Sequence, residues 1–520
     1  MADGGTGGED AGHGRADRSV VQDEAPGEAA DAAPAARLVI RLDPRRLWRW
    51  HLWLLDEIAA TGRYRVALDL SARGRPLPAG LSLLLDLERL VFRLRGERAA
   101  EPVSADAIRR VCPLASPAEP ADLVLDLSGV PAQADRPSLR PLYDGSADED
   151  VLLDRVMQPA RLSLSIDGAA RAETARPEIA GRPVLTERLD NAFGVLLGLC
   201  LRAVREGTAD AGPHDAPAGR AVVPADLAAF AARAVRTKIA RTLTKLSREA
   251  PRWRVGARRT RDADLLARTL KLPEAGYAFL PDDGQRFYAD PFLLAAGGTT
   301  YVIMEEFPFG TRKGLISVGT LDEAGRISQV RPVLEEAHHL SYPHVIEHAG
   351  AHWMVPESCN SRQICLYRAV RVPDIWEKVA VLVDGVDASD ATLHCQDGVW
   401  WMFAAVRERH GSRNDTLRLY TAPDLAGPWR PAPIDPALID ATSARPAGNL
   451  FRLGGKLWRP AQDCSRSYGG ALSLCTVETL SADAYAQTRV TTIEPRAPVE
   501  GLGLHTLNFG HGYEVIDVVR

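Results

Sequence analysis

Asp290, Glu357 and Asp390 are the residues of this chain best suited to proton chemistry, because each stands in a short strand-forming stretch where Val or Thr would build the strand as well. Arg445, Arg459, Gln462, Asp463, His344 and His505 occupy similar stretches and would bind hydroxyls or an anionic group. Carboxylates gathered in a partly buried site repel one another, and burial raises at least one of their pKa values. The result is a protonated acid beside an ionised base, the pairing that glycosidic cleavage uses. Inversion calls for a carboxyl separation of about 6.5–9.5 Å, retention for about 5–5.5 Å. The competing reading is structural. An Asp-Pro such as Asp290-Pro291 caps a turn, Glu357 bonds a neighbouring blade, His344 and His505 are satisfied core histidines, and Arg445, Arg459 and Asp463 form an ion-pair ring.

These residues are far apart in the chain but equivalent in pattern. The phrase Tyr288-Ala-Asp290-Pro-Phe-Leu … Gly298 … Tyr301-Val-Ile returns as Ser341-Tyr-Pro-His344-Val-Ile … Gly350 … Trp353. It returns again as Ser389-Asp390-Ala-Thr-Leu … Gly398 … Trp400, as Arg445-Pro-Ala-Gly … Gly455 … Trp458, and as Leu504-His505-Thr-Leu … Gly512-Tyr513. Each copy reads as strand, glycine-containing turn, aromatic strand, a hairpin. From Asp290 the steps to Tyr342, Asp390, Arg445 and Leu504 are 52, 48, 55 and 59 residues. Short strands repeated at that period predict a five-bladed β-propeller over residues 276–520, with the blade openings facing one central channel.

The preceding residues have another texture. Residues 1–36 hold eight acids against two arginines, a balance of −6 that leaves the remainder near neutral at +1; they form an acidic tail too poor in large apolar residues to order itself. Over residues 37–205, strands at Leu38–Leu42, Tyr64–Leu70 and Asp122–Leu127 alternate with helices at Pro44–Ile58, Leu81–Leu94 and Glu187–Arg205. The alternation predicts a separate α/β Rossmann-like domain, and so a multidomain chain. Asp43-Pro-Arg-Arg replaces a Gly-x-Gly turn after the first strand, so dinucleotide binding is not expected. Trp48, Trp50 and Trp53 are expected to pack their helix on the sheet. Residues 206–275 read as a Gly/Pro/Ala/Asp-rich linker followed by a basic helix, with ten Arg or Lys against Glu249 over residues 231–260. That stretch is either a solvated face or a contact for an anionic surface such as phospholipid. Seven scattered cysteines, no signal pattern and no membrane-length apolar run point to a cytoplasmic protein with reduced thiols and no transmembrane segment.

Two resemblances add to this. The N-terminal strand order and the loop after Asp126 resemble the formyltransferase N-terminal domain at the level of fold, without its catalytic residues. The Tyr-Ala-Asp-Pro opening and the Trp-rich hairpins resemble the five-bladed propeller glycoside hydrolases. Ser341-Tyr-Pro-His-Val-Ile, Val355-Pro-Glu-Ser358, Arg445-Pro-Ala-Gly and Arg459-Pro-Ala-Gln-Asp-Cys-Ser465 with Tyr468-Gly469 resemble the propeller that precedes the glycosyltransferase in glucosamine inositolphosphorylceramide transferases, and its stand-alone bacterial relatives. The resemblance implies Asp290 as base or nucleophile and Asp390 as the orienting carboxylate, with Glu357 as general acid and Asp463 as its substitute. It implies a glycan, glycolipid or sugar-phosphate ligand and no organic cofactor. No metal-ligand motif is present, although some of the hydrolases hold a cation near the position of His505. The alternative is a glycan-binding scaffold propeller working beside a separate glycosyltransferase. Nucleic acid is not an expected partner.

Overall fold

Five tight turns explain the C-terminal architecture. Gly297-Gly298, Ala349-Gly350, Asp397-Gly398, Gly454-Gly455 and His511-Gly512 all have positive φ at both positions. That is the type I′ geometry, whose twist matches that of paired antiparallel strands. Each turn joins the two inner strands of a sheet of four strands (five in the third), closing at Ala296↔Thr299, His348↔Ala351, Gln396↔Val399, Leu453↔Lys456 and Gly510↔Tyr513. In this computed structural model five such sheets follow one another as the blades of a propeller. The structure describes residues 36–520 apart from 117, 131–135, 159–160, 180, 210–218, 247–251, 261–268, 274–275, 409–410 and 496–500. The expected acidic tail and the centre of the Gly/Pro/Ala-rich linker lie outside the described residues.

The fifth blade closes the ring. Its inner hairpin, Gly503–Gly510 and Tyr513–Val519, is completed by Trp253–Arg259 and Ala278–Phe279, which precede the first blade in the chain. Pairing early strands with the last hairpin leaves no open seam in the ring. Trp253–Arg259 thus belongs to a blade, although its arginines read in sequence as part of a basic linker.

The N-terminal strands are β1 (Ala36–Arg41), β2 (Tyr64–Asp69), β3 (Leu123–Asp126), β4 (Ser138–Tyr143) and β5 (Leu164–Asp167). The helices are α1 (Arg49–Ala60), α2 (Leu81–Phe92), α3 (Ala105–Val111), α4 (Glu149–Val156), α5 (Leu185–Glu206) and α6 (Pro224–Leu246). The sheet order is β2-β1-β3-β4-β5, parallel from β2 to β4, with β5 antiparallel to β4. This corrects the expected Rossmann-like, formyltransferase-like domain: the sheet is mixed. The cause is local. Asp144 N–H donates to Ser163 O (2.9 Å) and Ser163 N–H to the Asp144 carboxylate (2.8 Å), so β5 starts beside the end of β4 and runs back along it.

The expectation of a multidomain chain is not confirmed: Ala36–Arg520 forms one compact unit. Ile439 of the propeller lies in the same apolar core as α1, α5 and the N-terminal sheet. Arg176 bonds Ile439 and Ala441 through its backbone and pairs with Asp440 at 3.2 Å. Trp48 and Trp50 are buried against Phe193 of α5, which settles their role as packing. No described helix is long and apolar enough to cross a membrane.

One glycine of the Arg445-Pro-Ala-Gly phrase is fixed by space. Gly448 has φ 132°, and a Cβ there would stand 2.1 Å from Leu507 O. Gly448→Ala should destabilise the fold by roughly 2–3 kcal/mol, read as a lowered denaturation midpoint. An unchanged midpoint would mean that this contact relaxes freely.

Candidate functional site

The innermost strands of blades one, two, three and five each carry a two-residue bulge at the same point. Asp290-Pro291, Tyr342-Pro343, Asp390-Ala391 and His505-Thr506 oppose single residues, Met304, Pro356, Ala404 and Asp517. Asp290, Tyr342 and Asp390 hold left-handed φ values of 52°, 41° and 55°. Side-chain-bearing residues avoid that region at a cost of about 1–3 kcal/mol, and such strain gathers where function needs it. The bulge turns these side chains out of the pleat toward the channel.

Around Asp290 the contacts come from two other blades, the second and the fifth. Its carboxylate accepts from Tyr342 N–H (3.2 Å) and from the Thr506 hydroxyl (2.9 Å), and its own N–H donates to Asp517 (2.8 Å). His505 Nε2 stands 3.6 Å from Asp290, while Nδ1 meets Asp517 at 2.6 Å. The imidazole stacks on Trp253 with centroids 3.7 Å apart. Burial opposes charge on His505, but Asp517 and Asp290 outweigh it and raise its pKa. Burial pushes Asp290 up to about 6 against the pull of His505.

Asp390 lies in a second cluster. It accepts from Arg445 Nε (2.7 Å) and Nη2 (3.3 Å) and from Gln462 Nε2 (2.7 Å). Arg445 Nη2 also reaches Glu357 at 3.4 Å, so one guanidinium joins two of the expected catalytic carboxylates. Burial raises Asp390 to about 7; Arg445 pulls it down, and the Glu357 charge adds to the rise. Tyr342, where an Asp-Pro pattern would place a carboxylate, sets its hydroxyl 2.9 Å from Thr392 Oγ1 and accepts from Gly448 N–H (2.7 Å), tying blade two to blades three and four.

The structure therefore brings together Asp290, Glu357, Asp390, Arg445, Gln462 and His505. Arg459 is occupied within blade four, on the Ser443 and Ala444 carbonyls and Gln487. Asp463 caps Ser465 and sits 3.7 Å from Arg161 and from Arg489. His344 accepts from Leu393 N–H (3.0 Å) and is pushed down to about 4 by burial.

Beside Asp290, the buried carboxylates of Glu305 and Asp517 went unread in the sequence. Glu305 stands four residues after Tyr301, as Glu357 follows Trp353 and Gln462 follows Trp458, so the repeat register carries the signal. Burial, then the charges of Asp290, Glu357, Asp517 and Asp390, push Glu305 far above the usual carboxylate range. Asp290, His505 and Asp517 offer ligand atoms within 4.8 Å of one another, which is a possible donor set for a cation. As arranged, though, His505 Nδ1 and the Asp517 carboxylate are in direct contact at 2.6 Å, too close for an ion to sit between them.

The N-terminal segment reaches this site. Glu178 accepts from Ser412 and from Asn414 Nδ2 (2.9 Å), and Asn414 Oδ1 accepts from Arg445 Nη1 (2.9 Å). A cavity of ≈ 540 Å³ lies between the two parts, lined by Arg445 and Tyr468 on one side and by Glu178, Arg188 and Asn191 on the other.

Residues 279–501 match the family model described as glucosamine inositolphosphorylceramide transferase 1, N-terminal. The match falls on the propeller and covers most of it. Over 208 residues the chain is 36% identical to glucosamine inositolphosphorylceramide transferase 1 of Oryza sativa subsp. japonica, and 31% identical to that of Arabidopsis thaliana. Each match covers 39% of this chain but only 28% and 27% of the relative, so the chain spans under a third of the length of these curated relatives. The match ties the propeller to a carbohydrate-related family. Among solved structures, a thermostable family-43 glycoside hydrolase aligns with TM-score 0.32 and 11% identity over 40% of this chain and 78% of its own. A GH32 beta-fructofuranosidase of Bombyx mori aligns with TM-score 0.33 and 12% identity over 55% and 61%. Likeness of that degree speaks to no activity.

The raised carboxylates fix a sign for pH dependence. Asp290 and Asp390 keep protons in the folded state that the unfolded chain releases near the ordinary 3.8, so stability falls as pH rises from about 4 through about 6 and 7. The raised His505 adds to the same slope, since its stabilising charge is lost on going alkaline. The urea midpoint should be lower at pH 8 than at pH 5, with a shallower decline in Asp390→Asn. Identical slopes in the two proteins would mean that Asp390 titrates as it does in the unfolded chain.

Proposed function

We propose that the channel binds a glycan and acts on its glycosidic bond through buried carboxylates. One observation carries this reading. Asp290 and Glu305 flank the first hairpin, with Glu305 paired to Ala289; burial, then the charge of Asp290, keeps the proton on Glu305, while Asp290 ionises above about 6. Glu305 then donates a proton to the leaving oxygen as the bond to the anomeric carbon breaks. Asp290 takes a proton from the attacking water, and the two transfers balance. Glu357, the proton donor on sequence grounds, shares Arg445 with Asp390 and is assigned with it to holding the sugar. Gln462 and Arg445 supply donors for hydroxyls or an anionic substituent.

A second reading is recognition without turnover, beside a separate glycosyltransferase. It is favoured by the three hydrogen bonds already held by Asp390, and by relatives that are named as transferases and matched here over an N-terminal module. Their name also brings inositol-linked and phosphorylated sugars into the range of ligands to be tried.

Release of sugar from furanosides, pyranosides and inositol-linked glycans by the purified chain separates the readings. Asp290→Asn and Glu305→Gln should each lower turnover by roughly 10²–10⁴-fold, with Glu357→Gln mainly raising KM. If Glu357→Gln abolishes turnover while Glu305→Gln retains it, the proton donor is Glu357. Saturable binding with no release across the panel would establish the recognition module.

A further inference from the structure

The helices α2 and α6 bury one face and leave the other unused. Inward, Leu81, Leu85 and Glu88 of α2 and Leu227, Phe230 and Ala234 of α6 are buried. The Glu88 carboxylate there caps α5 through Leu185 N–H and Thr186 N–H, both at 2.8 Å. Outward, Leu83, Leu87, Leu90 and Val91 of α2 and Val235, Ile239 and Leu243 of α6 are between 47% and 77% exposed. Their spacings, i, i+4, i+7, i+8 and i, i+4, i+8, place each set on a single stripe. The two helices touch. Lys238 donates to Val91 O (3.0 Å) and sits 4.8 Å over the Phe92 ring, so the stripes belong to neighbouring elements.

The rim of this face is basic. Arg93, Arg95, Arg236 and Lys238 have no carboxylate within ion-pair distance among the described residues, and Asp86 is the exposed acid on α2. Seven exposed aliphatics beside cations that no described carboxylate neutralises have a specific complement: an apolar layer whose boundary carries phosphate. A second copy of the chain would cover the aliphatics but set one basic rim against another.

The face also adjoins the cavity at Arg445. A groove of ≈ 470 Å³ between the helices is lined by Phe92, Arg182, Lys238 and Thr242, and Arg182 also lines the cavity that holds Arg445 and Tyr468.

We propose that the α2–α6 face docks the protein on an anionic phospholipid surface, with the channel mouth held beside the headgroups. The aliphatic stripes enter the boundary between headgroups and acyl chains, and the arginines and Lys238 meet lipid phosphates. The proposal is independent of turnover in the channel: vesicle binding reads it whether or not any glycosidic bond is cleaved.

The test is co-sedimentation of the full chain with mixed phosphatidylserine–phosphatidylcholine vesicles and with phosphatidylcholine vesicles alone. Binding to the anionic vesicles should be roughly tenfold tighter or more, and should weaken in high salt. Leu90→Glu with Ile239→Glu should abolish binding. Arg93→Gln with Arg95→Gln and Arg236→Gln should remove the preference for anionic vesicles. All five positions are exposed, so the thermal midpoint should stay unchanged and report intact folding. No binding by the native chain, or equal binding by native chain and both variants, would overturn the proposal. Self-association lost in the Leu90→Glu, Ile239→Glu protein, without vesicle binding, would assign the face to a second copy instead.

Discussion

The site depends on a bulge repeated in the innermost strands. A regular strand alternates its side chains between the two faces of its sheet, so a propeller built from flawless strands would line its axis with backbone and small residues. The extra residue at Asp290, Tyr342, Asp390 and His505 breaks that alternation and turns a polar or aromatic group toward the channel from four blades. Left-handed φ at three of these positions is unfavourable for residues with side chains, and the hydrogen bonds made there offset it. Asp290 receives the Tyr342 backbone, Tyr342 receives the Gly448 backbone, and Asp517 receives the backbones of Asp290 and Thr506. The bulges of successive blades therefore hold one another in place.

Arg445 is the second organising element. It is largely buried, and the surrounding carboxylates make a guanidinium tolerable there. Asp390 and Glu357 neutralise it, Asn414 takes a third N–H, and the Tyr468 ring lies 5.0 Å from its charge. Through Asn414 it is bonded onward to Glu178, which comes from the N-terminal segment. That segment is accordingly part of the wall of the site, and its mixed sheet serves to place Glu178 and α5 against blades three and four. The one compact unit formed by Ala36–Arg520 follows from these contacts and from the core shared across Ile439.

Much of the propeller was legible because its determinants are local. A Gly-containing turn between aromatic-rich strands specifies a hairpin wherever it occurs, and five copies at a period near fifty residues specify a ring. The blade openings marked Asp290, Asp390, Arg445 and His505 for the same reason. Glu305 was equally encoded, four residues after Tyr301, but a single Glu at a strand end looks like any surface carboxylate until its burial is known. Arg459 and Asp463 show the reverse: the motif that contains them is real, yet their side chains turn to Gln487 and Ser465 inside blade four.

What the sequence determined by itself was the repeat, its turns, the helical segments and the residue types at the blade openings, all of which depend on neighbours within a few positions. Only the tertiary structure decided the direction of β5, the closure of blade five by Trp253–Arg259, the burial that raises Glu305 and Asp390, and the sharing of Arg445 between two carboxylates. Strand direction, desolvation and charge coupling arise between groups tens to hundreds of residues apart, where no local pattern records which partner will be met.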